Sequence, residues 1–195
     1  RCVSVTVPHP ADVVLEWALN GTTGITAQDF TSVEAYVDLV ELNMAVLNAA
    51  FAETPFIFTY ANRDDPSVYM NVTWSLDPDN NQEEISSELG VGALDTLNVY
   101  ATYQQIAGAY GFANFPSQQM NLGDGQKGDG VYQIFDTVTN GGAYLNELGY
   151  TLVHEVGHWL GLYHVFDSNT DDPCGADERG DFVDDTGAMN GPTTD

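Results

Sequence analysis

His154-Glu155-Val156-Gly157-His158-Trp159-Leu160-Gly161-Leu162-Tyr163-His164 is the stretch whose reading organises the rest of the chain. On a helix, His154 and His158 lie four residues apart, about 40° around the axis, so both imidazoles project from one face. Zinc takes two ligands from that geometry at about 2.0–2.1 Å. A third ligand on the same helix would be badly placed, and Gly161 explains how His164 arrives. Glycine takes positive φ without a Cβ clash, so the helix ends there and the chain turns back toward the metal. Three neutral imidazoles leave a fourth position open for water, which marks a catalytic site and not a closed structural one.

Glu155 follows His154 directly, so it flanks the metal face and can reach that water without binding the metal itself. In that place a carboxylate takes a proton from water and later delivers it to a leaving amine. Leu152, Val153, Val156, Trp159 and Leu160 supply the apolar faces that fix the helix in a core. A lone His-Glu-x-x-His is short enough to arise by chance, but Gly161 and His164 at fixed offsets make chance far rarer. Of the 4 histidines in the chain, all but His9 fall in this stretch. Reading them as purely structural would require an unrelated hydrogen-bond partner for each buried ring.

Working outward, Asp29 to Ala52 carries Val33, Tyr36, Val37, Val40, Met44, Leu47 and Phe51 at three- and four-residue spacing, which predicts a long amphipathic helix stopped by Thr54-Pro55. Pro55 to Tyr60 is aromatic and β-branched and reads as a strand, with Val68 to Leu76 as its neighbour. Asp77-Pro78-Asp79 opens a helix through about Leu89, since proline and acidic residues suit a helix start. Leu97 to Tyr103 is a further strand, Gly108 to Gly130 a long irregular loop, and Val131 to Phe135 another short strand. A helix from about Ala143 to Leu160 then carries the histidines, and the chain beyond Gly161 is loop-like and acidic. The order β-α-β-β-α-β-loop-β-α predicts an α/β (α+β) sandwich: a twisted mixed sheet, a long N-terminal helix and a zinc-binding active-site helix.

The chain of 195 residues is long enough for one domain with a real core, and 43% of it is apolar. Its 29 acidic and 4 basic residues give a net charge of -25. Such a surface repels phosphate backbones and anionic lipid, so neither nucleic acid nor a membrane surface is an expected partner. No apolar run reaches the roughly 18 residues that a membrane span requires. Arg1-Cys2-Val3-Ser4 reads as the start of a mature product rather than a leader. Asn20-Gly21-Thr22 and Asn71-Val72-Thr73 are glycosylation sequons. With the acidity, they favour a secreted, extracellular protein. Cys2 and Cys174 can pair with each other, stay free, or bond outside the chain.

The stretch from His154 to His164 resembles the extended zinc motif of metzincin metallopeptidases. Gly180-Asp181-Phe182-Val183-Asp184-Asp185-Thr186 resembles the segment after the third histidine in the pappalysin (cytophagalysin) family. Leu97-Asn98-Val99-Tyr100 and Gly111-Phe112-Ala113-Asn114-Phe115-Pro116 are similar to that family too, notably to its secreted fungal members. The likeness runs from about Gln28 to Thr186. It implies a metzincin-like fold and a secreted zinc endopeptidase made as a zymogen, acting on protein or peptide substrate, with calcium often bound near the cleft. In the acidic run from Asp167 to Asp185, Asp181, Asp184 and Thr186 are the candidate calcium ligands.

Two features depart from the family. Its Met-containing turn beneath the zinc is not found in its usual form; Met189 lies about where a short version could sit, but Ala188-Met189-Asn190-Gly191-Pro192 lacks the aromatic and the acid. The family also continues for tens of residues further. The expectation is therefore a single catalytic domain over 1–195, with the upper subdomain to about 161 and 162–195 starting an incomplete lower one. A longer or nicked precursor would join Cys174 by a disulfide to its C-terminal fragment. Two other readings compete: a secreted binding module that keeps zinc structurally, and a zinc hydrolase of non-peptide amides. Glu155 and the open fourth position would be idle in the binding module.

Overall fold

The computed structural model describes residues 3–7, 33–60, 72–91, 96–102, 108–116, 129–134, 137, 149–166, 180–183 and 186. Helix α1 (Val33–Ala50) precedes β2 (Phe56–Tyr60), which pairs in parallel with β1 (Val3–Val7), Val5 opposite Phe58. Met44, Leu47 and Phe51 turn inward from α1 and its end. Asn48 fastens the helix to the strand: its amide donates to the Phe58 carbonyl at 3.0 Å, and its Oδ1 accepts from Phe58 N–H at 2.9 Å. A side-chain amide thus satisfies backbone groups of β2 that would otherwise need another strand.

The second sheet is mixed. Its order is β3 (Val99–Thr102), β5 (Val131–Ile134), β4 (Gly111–Ala113), with β3 parallel and β4 antiparallel to β5. Alternation along the strands divides the core into two layers. Val99, Val131 and Ala113 face one side, where they join Met44, Leu47 and Phe58 with Leu152, Val156 and Trp159 of α4 (Tyr150–Trp159). On the other side Tyr100 and Tyr132, with ring centroids 4.8 Å apart, join Phe112 against Trp74 of α2 (Val72–Leu76) and Ile85 and Leu89 of α3 (Pro78–Leu89). The α/β architecture with a mixed sheet agrees with the sequence. No helix among the described residues is long and apolar enough to cross a membrane.

Three local expectations need correction. Val72 to Leu76 is helical, not strand: Trp74 buries against the α3 layer, and Asp77 N–H closes the turn on the Thr73 carbonyl. A short apolar run bounded by turns has no periodicity that separates a strand from a buried helical turn. The irregular stretch after Gly108 contains β4, whose glycine and alanine hid the strand signal. The histidine helix starts later than Ala143, because Gly149 at φ 75° is left-handed and α4 begins at Tyr150. Cys2, Cys174, Asn20, Asn71, Asp184 and Met189 lie outside the described residues, so the disulfide, glycosylation and Met-turn expectations do too.

Candidate metal centre

Helix α4 is placed from beneath and from its end. Its buried face carries Leu152, Val156 and Trp159, as the sequence predicts, while Val153 and Leu160 are partly buried at the margin. Trp159 donates its indole N–H to Asp129 Oδ1 at 2.9 Å, tying the last turn to a residue two positions before β5. Burial raises the Asp129 carboxyl, against the lowering effect of hydrogen bonds from Trp159 and from the Gly130 backbone.

The helix ends in a Schellman turn. Gly161 N–H bonds to the His158 carbonyl at 2.8 Å and Leu162 N–H to that of Gly157 at 2.9 Å, with Gly161 at φ 100°. This is the reversal the glycine predicts, and it swings His164 back over the helix. The Nε2 atoms of His154, His158 and His164 lie 3.0–3.1 Å from one another in all three pairs. Tetrahedral ligands at zinc–nitrogen distances stand roughly 3.3 Å apart. Three nitrogens aimed at one point, at nearly that spacing, fit a metal ion and can hold one.

A detail invisible to spacing rules fixes the orientation of one ring. His158 Nδ1 lies 2.6 Å from the Leu162 carbonyl, so its N–H points there and the Nε2 lone pair faces the other two rings. The Schellman turn therefore does two jobs: it delivers His164 and supplies the carbonyl that orients His158. His154 is held below the usual imidazole range, by burial first and by its two histidine neighbours second, which favours the neutral ligating form. Phe115 lies 5.2 Å from the His158 ring and stacks on Tyr163 at 4.7 Å, and His164 stacks on Phe166 at 4.6 Å. These aromatic walls were not singled out from the sequence. Neither was Asp129.

Glu155 is buried beside this cluster, and burial pushes its carboxyl from an ordinary 4.5 up to about 7. The candidate calcium residues behave differently. Asp181 Oδ1 accepts from Val183 N–H at 3.1 Å and from the Thr186 hydroxyl at 2.6 Å, a turn closed on itself. Among the described residues, the three histidines are the only group of converging metal-binding side chains.

Residues 81–195 match the Peptidase M43 family, described as pregnancy-associated plasma protein-A. The chain belongs to this pappalysin family of metallopeptidases. It is 34% identical over 158 residues to an extracellular metalloprotease of Arthroderma benhamiae, covering 80% of this chain and 50% of that one. The Podospora anserina extracellular metalloprotease is 30% identical over 185 residues, covering 85% and 60% respectively. This chain thus spans about half the length of the curated relatives it matches. Among solved structures it is similar to Tannerella forsythia mature mirolysin in complex with a cleaved peptide. The TM-score is 0.55 and the identity 21%, over 94% of this chain and 71% of that one. That likeness supports the fold, a twisted mixed sheet carrying the metal helix.

Proposed function

We propose that this pappalysin-family domain is a secreted endopeptidase with zinc at His154, His158 and His164 and Glu155 as general base. The observation that carries the reading is the convergence of three imidazole Nε2 atoms within 3.1 Å, beside the buried carboxyl of Glu155. Zinc held there would polarise a scissile carbonyl and acidify a water molecule. Glu155 takes the proton from the attacking water and hands it to the leaving amine, roles open to a carboxylate next to the metal-binding face. Burial favours the neutral form of His154, and the Leu162 carbonyl turns the His158 Nε2 toward the same point.

Substrate binding follows from the sheet. Strand β4 ends the three-stranded order β3-β5-β4, and its outer edge pairs with no other strand among the described residues. An extended peptide adding to that edge would pass beside the helix that carries Glu155. The extracellular setting rests on the names of the relatives. On this reading the chain to about residue 161 is the upper part of the catalytic domain, and 162–195 begins the lower part. Calcium at Asp181, Asp184 and Thr186 belongs to the same proposal. It predicts that selective removal of calcium, with zinc retained, lowers the melting temperature.

The deciding experiment is digestion of a mixed pool of unstructured peptides by the wild type and by Glu155→Ala, with zinc content measured in both. Cleavage by the wild type alone, at equal zinc, supports the assignment. Equal cleavage by both sinks the role of Glu155, and no cleavage by the zinc-loaded wild type sinks the peptidase reading of this chain.

A further inference from the structure

Strand β4 carries a glycine where the sheet meets the active-site helix. Phe112 faces the α2 and α3 layer, so its neighbours Gly111 and Ala113 face α4. Glycine inside a strand is unfavourable for the strand and often marks the close approach of another group. Here the group is identifiable. A Cβ built on Gly111 would stand 2.6 Å from Cγ and Oε1 of Glu155 and 2.8 Å from Cδ. Real methyl groups do not pack that closely, and the φ of Gly111 is not in the left-handed region. Space, not backbone conformation, is therefore what requires glycine.

The carboxylate that fills this notch has no hydrogen bond from any described residue. Its position is set by contact with the strand on one side and by its helix on the other. The atoms a methyl group would strike are the far end of a flexible side chain, which can swing aside. Backbone atoms in the same place could not.

We infer that Gly111 is a positioning residue: the missing side chain leaves the notch that holds the Glu155 carboxylate against β4. The inference rests on the general-base role of Glu155. A substituent at 111 displaces the acid and leaves the three histidines in place. The cost falls on turnover, with little effect on metal binding.

The test uses the zinc-loaded full chain as wild type, Gly111→Ala, Glu155→Ala and the double variant. Gly111→Ala keeps its zinc and its KM within about twofold, while kcat falls on the order of 10²-fold, the scale of an ångström-sized misplacement. Melting temperatures supply a readout independent of turnover. With Glu155 truncated the notch is empty, so Gly111→Ala raises Tm by about 2 °C, because alanine loses less entropy than glycine in a strand. With Glu155 present that rise is cancelled or reversed. An unchanged kcat, or the same Tm shift in both backgrounds, overturns the inference and leaves the general-base reading standing. Glu155→Ala cleaving as fast as the wild type at equal zinc sinks that reading, and the positioning role of Gly111 with it.

Discussion

The turn that delivers His164 and the turn from Asp181 to Thr186 both depend on a residue at positive φ. In the first, Gly161 sits at φ 100° with no Cβ to strain, and its N–H and that of Leu162 close two capping hydrogen bonds. In the second, Phe182 takes φ 64° although it is a bulky residue and 60% exposed. Its conformation is strained, and the turn is held by the side chains of Asp181 and Thr186 together with an edge contact between Phe182 and Tyr163 at 5.2 Å. One turn holds the proposed third ligand, His164, and uses relaxed backbone on a buried helix. The other tolerates strain because it lies in the open. Their difference separates structure that sets the metal geometry from structure that only borders it.

The sharpest way to break the comparison is to give Gly161 the burden that Phe182 carries. Among the described residues a Cβ there would meet only Pro116, at 3.7 Å, so Gly161→Ala tests backbone conformation more than packing. The expected loss of fold stability is about 1–3 kcal/mol. Because the same turn places His164 and orients His158 through the Leu162 carbonyl, zinc affinity falls at least tenfold as well. Competitive zinc titration together with melting curves with and without chelator checks both. If zinc still stabilises Gly161→Ala as much as the wild type, the turn does not position the ligands.

The same contrast explains what the sequence could and could not disclose. His154, His158, Gly161 and His164 announce themselves because a helix face and a reversal impose fixed spacings on side chains with unmistakable chemistry. The layers of the fold were legible for a similar reason: Met44, Leu47 and Phe51 keep a helical period over about two turns. Short elements failed. Val72 to Leu76 and Gly111 to Ala113 are too brief to express a period, and their state is decided by Trp74 packing on α3 and by β5 offering an edge. The Leu162 carbonyl, the Asp129–Trp159 pair and the Gly111 notch were beyond reach, since each depends on distances between segments far apart in the chain or on backbone atoms that every residue shares. Sequence reading picked out the three histidines that converge and missed what aims them.

Asp129 offers a second, milder test, because it belongs to the well-buried side of the comparison. Burial raises its folded-state pKa above an unfolded value of 3.8, so the folded protein binds the proton more tightly than the unfolded chain. The contribution to stability is therefore fully present below about pH 3.8 and is lost as pH rises through the raised folded value. Asp129→Asn keeps an oxygen for the Trp159 N–H and removes the titration. The stability of the wild type relative to Asp129→Asn should thus decline as pH climbs through that window and level off above it. Denaturant melts at a series of pH values measure this, and a constant difference would mean that the carboxyl is not buried as described.

Asp181 should give the smallest effect, with the opposite sign. The Thr186 hydroxyl holds its carboxyl below the ordinary 3.8, helped by the Val183 amide. A depressed folded pKa contributes stability that is present above 3.8 and is lost as pH falls through the folded value. Solvent screens this carboxylate, so Asp181→Ala should lower Tm at pH 7 by less than Gly161→Ala does, with no change in zinc affinity. Below the folded pKa the difference from wild type should narrow, because Asp181 is then protonated in both states. A zinc affinity that fell along with Tm would join the Phe182 turn to the metal centre, and the distinction between the two turns would no longer hold.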